Sequence, residues 1–64
     1  MKVSLNAELR LDMDQVVDMT RREFDAACHS AFGEGIRVSD VQHMFVGVTG
    51  RGMMLFRLYG NAFV

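Results

Sequence analysis

Few side chains in this chain carry obvious chemistry: one cysteine, two histidines and eight carboxylates among 64 residues. A catalytic thiol needs a base within hydrogen-bond reach. Cys28 and His29 are adjacent in sequence, but neighbours on a helix point about 100° apart. They make no nucleophile–base pair there. Cys28 falls on an apolar helix stripe, where a thiol behaves as a small hydrophobe. His29 falls on the polar face near the helix end, where positive charge is favoured. His43 stands on a strand beside Tyr59 with no partner base in view, so a structural hydrogen bond is its expected role. Structural zinc sites usually take four side-chain ligands, and Cys28, His29 and His43 have no such spacing. Asp12, Asp14, Asp18 and Asp25 read as capping or helix-surface residues, and Glu8 as part of a polar strand face. No two of them are forced together as an acid–base pair. Gly33, Gly35, Gly47, Gly50 and Gly52 lack the Gly-Lys-Ser/Thr of a phosphate loop. The six methionines follow core periodicity, not soft-metal clustering. The expectation is therefore no catalytic residue, no metal site, no cofactor and no enzyme.

The elements that position these residues are better marked. Val3, Leu5, Ala7, Leu9 and Leu11 alternate with Lys2, Ser4, Asn6, Glu8 and Arg10, the pattern of a strand with one buried and one wet face. Asp12, with Gln15 three residues on, is a variant capping box, and Leu11 with Val16 makes a candidate hydrophobic staple. Met13, Val16, Val17, Thr20, Phe24, Ala27, Cys28 and Ala31 keep the 3–4 spacing of one helix face. Asp18 with Arg22, and Arg21 with Asp25, are i,i+4 pairs. Gly33 can end the helix in a left-handed cap. The spacing thus predicts one helix over 13–32.

Beyond Gly33-Glu34-Gly35, the apolar residues Ile36, Val38, Val41, Met44, Val46 and Val48 change phase near Ser39 and Asp40. A bulge or bend is expected there. Thr49-Gly50-Arg51-Gly52 marks a hairpin. A three-residue loop with Gly52 left-handed in a bulge sets Met44, Val46 and Val48 beside Met54, Phe56 and Leu58. Gly60, Ala62 and Val64 extend that face. The fold class is α+β: a single β-α-β-β domain over 1–64. Its three-stranded sheet has order 1-3-2, with one helix packed on one face. A right-handed crossover makes strands 1 and 2 run the same way, and the strongly apolar third strand fits between them.

The other face of the hairpin is less polar than an outer sheet face should be. It is expected to carry His43, Phe45, Leu55, Arg57, Tyr59 and Phe63, with Phe45 across from Arg57, His43 from Tyr59 and Gly47 from Leu55. Exposed patches rich in Tyr, Phe, Met and Arg mark interaction surfaces. The free edges of strands 1 and 2 are a second candidate contact.

The strand–helix–strand–strand order and the length resemble those of the dodecins, small flavin-binding shells built from many copies. That family places a tryptophan just after the helix to stack on flavin. Here the segment reads Phe32-Gly33-Glu34-Gly35-Ile36, and the chain has no tryptophan. The resemblance implies a shared topology and a ligand-binding homo-oligomer without that stacking residue. The short tautomerases have a similar strand, helix and strand, but their chemistry uses a proline at the processed N-terminus. Here Lys2 follows Met1.

A chain of this size supports a core of only about 3–5 kcal/mol unaided, and a single cysteine excludes an internal disulfide. Oligomerisation or a larger partner is the remaining source of stability. The net charge of −1, with mixed signs along the chain, argues against nucleic acid as a partner. No apolar run approaches the ~20 residues of a membrane span, and the alternating N-terminus does not read as a signal peptide. A cytoplasmic location follows as the default. The leading expectation is a small non-enzymatic interaction protein, self-associating or docked on a larger protein through the outer hairpin face. Inhibitors or regulators encoded by phages and mobile elements are often of this kind. The alternative is a small-ligand-binding homo-oligomer with its ligand near Phe45, Arg57 and Tyr59.

Overall fold

The computed structural model describes residues 1–63; Val64 lies outside the described residues. The order is β1 (Lys2–Asp12), α1 (Met13–Asp18), α2 (Arg21–Ser30), β2 (Ser39–Val48) and β3 (Met53–Phe63). The sheet order is β1-β3-β2, and β3 is antiparallel to both neighbours. β1 and β2 therefore run the same way on either side of it.

β1 pairs with β3 without interruption from Lys2↔Phe63 to Asp12↔Met53. This sets Leu11, Leu9, Ala7, Leu5 and Val3 against Met54, Phe56, Leu58, Gly60 and Ala62 on the face that meets the helices. Leu58 at the centre of β3 is fully buried. Around it close Leu11, Cys28 and Phe56, with Val16, Met19, Phe24, Ala31 and Val41 packed against them.

The single helix expected over 13–32 is two helices. Met19 (φ −83°, ψ 133°) and Thr20 (φ −76°, ψ 161°) are extended. The cause lies in Thr20-Arg21-Arg22-Glu23, a second capping box. The Glu23 N–H donates to Thr20 Oγ1 at 3.1 Å, and the Thr20 N–H donates to Glu23 Oε1 at 3.3 Å. Asp12 and Gln15 form the first box as expected. The break turns Met19 into the core and leaves Val17 82% exposed. It also separates Asp18 from Arg22; among the described residues the ion pairs are Lys2–Asp40 and Glu8–Arg10.

The hairpin has the expected three-residue loop. The Thr49 N–H donates to Met53 O at 2.9 Å, the Gly52 N–H to Thr49 O at 3.0 Å, and Gly52 has φ +79°. The phase change at the start of β2 is also present. Asp40 adopts φ +54°, and the register shifts between Ser39↔Asn61 and Gln42↔Tyr59.

Candidate functional site

A second irregularity decides which side chains share a face. Val48 pairs with Met54 and Gly47 with Leu55, but Phe45 then pairs with Phe56, so Val46 is the extra residue of a β-bulge. Side chains alternate with period 2, so one inserted residue exchanges the faces of everything before it. The expected pairing of Gly47 with Leu55 is present. Phe45, expected across from Arg57, instead lies across from Phe56, and His43, expected across from Tyr59, lies across from Leu58.

Both rings accordingly turn to the helix side. His43 meets Phe24 edge-on, with centroids 4.9 Å apart, and Phe45 lies 5.7 Å from Phe56. Leu55, Arg57, Tyr59 and Phe63 do occupy the outer face. Their neighbours there are Arg10, Glu8, Asn6 and Lys2 of β1 and, beside Arg57 and Tyr59, Met44 and Gln42 of β2. The outer face is thus crossed by charges. The six candidate residues are divided between two faces, and Phe45, Arg57 and Tyr59 do not converge on one ligand position.

Instead, apolar surface gathers on β2 as a whole. Met44, Phe45, Val46 and Val48 are each about half exposed, at 49%, 51%, 49% and 52%. Met44 shows on the outer face and Phe45 on the inner one. From Val41 to Val48 the strand carries no Asp, Glu, Lys or Arg. The opposite sheet edge, β1, carries Lys2, Glu8, Arg10 and Asp12. Charged edges discourage strand addition, and a long apolar edge invites it. The alternation rule used to read the strands sorts side chains by face and not by edge, so it did not rank β2 above β1.

The cysteine and the other histidine lie away from β2. Cys28 is 2% exposed. Burial, and then the nearby Asp25 carboxylate, push its thiol above the usual value, so it stays protonated at neutral pH. His29 is exposed in the last turn of α2, and its Nδ1 donates to Asp25 O at 2.8 Å. Among the described residues no three of His, Cys, Asp and Glu come together as metal ligands. No helix in them is long and apolar enough to cross a membrane. A cleft of about 690 Å³ opens at the far end of the inner face, between Val3, Leu5, Ile36, Val38, Ala62 and Phe63. Compared with protein-family models, with curated proteins and with solved structures, the chain matches none.

Proposed function

We propose that this chain is a non-enzymatic protein-interaction module whose contact element is the edge strand β2. The supporting observation is its surface. A compactly folded chain of 7.2 kDa exposes about 4,100 Å², whereas this one exposes 4937 Å². The excess, about 800 Å², is that of an extended molecule with little of its surface buried. Its shape agrees. The radius of gyration is 12.3 Å, against about 10.7 Å for a compact domain of this length. Four of the exposed large apolar side chains, Met44, Phe45, Val46 and Val48, fall in one uncharged run of a free edge strand, while Val17, Ile36 and Phe63 are exposed apart from it.

The test is native mass spectrometry of the untagged protein from the cells that make it, beside a Met44→Lys, Val46→Lys variant. The expected result is a discrete complex, of several copies or with another chain, present in the wild type and absent in the variant. Circular dichroism should show unchanged strand content. A complex that survives the variant refutes β2 as the contact, and a wild type found as bare monomer refutes the module.

The second reading is a small apolar ligand. It is favoured by the cleft beside Val3, Ile36 and Ala62, whose volume falls within the range of ligand pockets, about 300–1,000 Å³. Added mass below that of a protein chain, retained in the native spectrum, would support it.

A further inference from the structure

We infer that the cleft at the far end of the inner face is a site for a small amphipathic anion, a carboxylate on a single apolar chain or ring, with Arg37 as the group that takes its charge; this rests on the ligand reading above. The cleft arises from a mismatch of lengths. β1 and β3 have 11 residues each, about 36 Å of strand. The helices above them have 6 and 10 residues, about 9 and 15 Å of helix, and they pack over Leu11, Phe56 and Leu58. The far end of the sheet is left to the irregular chain between α2 and β2. That chain turns at Gly33 and Gly35, both at positive φ, and comes down on Gly60 through Phe32 and Val38. Beyond this contact Val3, Leu5 and Ala62 form an apolar floor. Ile36 and Phe63 stand on the rim, 46% and 74% exposed.

Charge names the ligand. The side chains that bring polar atoms to the cleft are those of Arg37, Ser39 and Asn61. Ser39 Oγ donates to Asn61 O at 3.4 Å, and Asn61 Nδ2 donates to Asp40 Oδ2 at 3.4 Å, so both are engaged within the sheet. The Arg37 guanidinium is not: among the described residues the ion pairs are Lys2–Asp40 and Glu8–Arg10, and no described carboxylate lines the cleft. A wall with one open cation and no anion favours a single negative charge. A guanidinium presents parallel N–H groups that fit a carboxylate. The apolar floor takes the part of the ligand that water rejects. A wholly apolar ligand leaves the guanidinium unused, and a cationic one is repelled by it. The volume, about 690 Å³, suits one small molecule.

The probe is octanoate, with octanol and octylammonium as its neutral and cationic counterparts of equal length. Each is titrated into the ¹⁵N-labelled full chain at pH 7.5 and followed by NMR. The expected result is saturable one-to-one binding of octanoate, the tightest of the three, with amide shifts gathered at 3–5, 35–39 and 61–63. Arg37→Gln should weaken octanoate at least fivefold and leave octanol unchanged. Arg37→Glu should reverse the order, so that octylammonium binds more tightly than octanoate. Arg37 lies outside every helix and strand, so neither substitution breaks an element. Equal binding of octanoate and octanol by the wild type, or equal losses of both in Arg37→Gln, overturns the anion site and leaves an apolar cleft. No binding of either up to 3 mM, or shifts gathered at 42–48 instead, overturns the ligand reading with it; the β2 module stands or falls on its own native-mass comparison.

Discussion

Gly60 is the position where one added methyl should be felt most. It lies on the inner face of β3 across from Leu5, at the point where the chain after α2 comes down onto the sheet. A Cβ built there would overlap Val38 Cγ1, approach Phe32 Cζ to 3.3 Å and Ser39 O to 3.5 Å. Its φ is not positive, so alanine meets no backbone strain and the effect is steric. Alanine narrows the unfolded ensemble, a gain of about 0.4–1 kcal/mol. Overpacking costs about 1–3 kcal/mol. The balance for Gly60→Ala is a loss of roughly 1–2 kcal/mol, a large share of the ~3–5 kcal/mol such a core supplies. In a domain this small it lowers Tm by about 5–15 °C, at about 4–8 °C per kcal/mol. Thermal and urea unfolding followed by circular dichroism at fixed protein concentration would measure it. Gly47→Ala is the control, since nothing lies within 4 Å of a Cβ there. Val38→Ala removes the colliding methyl, so the double variant Val38→Ala, Gly60→Ala should be more stable than the sum of the single losses. Wild-type stability in Gly60→Ala, or strict additivity with Val38→Ala, would refute the close approach.

Thr20→Ala deletes the oxygen that accepts the Glu23 N–H and should cost about 1 kcal/mol. Thr20→Ser should keep most of it, and equal urea midpoints for all three proteins would show that the second box does not hold the break. The Cys28 thiol is raised in the folded state from 9.0. Above pH 9 the unfolded chain therefore loses its proton more readily than the folded one, and stability falls as pH rises. Unfolding free energy followed from pH 8 to 10.5 should decline in the wild type and decline less in Cys28→Ala; indistinguishable slopes would overturn the assignment.

The strands were legible in the sequence because each signal was local and redundant. Five apolar residues alternate with five polar ones along β1, and Thr49–Gly52 offers a loop whose glycine tolerates φ +79°. The sheet order followed from the apolar character of β3. The helix break was less visible. Thr-x-x-Glu at Thr20 is a recognisable start signal, but it falls inside an apolar stripe that continues in phase across it. Periodicity and capping disagreed over Met19–Thr20. Capping prevailed because the break lets Met19 fill the core at little cost to Val17, which lies over solvent. Val46 had no local mark at all. Val46-Gly47-Val48 reads as regular alternation, and the extra residue shows only when Phe45 is seen paired with Phe56.

That one residue changes what the outer surface means. With regular pairing, β2 would bury Met44 and Val46 and present Phe45 and His43 outward beside Arg57 and Tyr59. It would be a strand with a sticky face in an otherwise closed sheet. With the bulge, Phe45 and His43 lean over Phe56 and Phe24, but the helix reaches only part of the way and Phe45 stays half exposed. Met44 is half exposed on the opposite side. β2 thus shows a large apolar side chain on each face, and it has a neighbour on one side only. A partner stacked on the outer face would cover Met44 and Tyr59 but leave Phe45 and Val48 wet. A partner on the helix side would do the reverse. A strand added along the free edge brings side chains beside both faces at once and satisfies the open backbone groups as well. The proposed edge contact is therefore the one that reaches Met44 on the outer face and Phe45 on the inner face together.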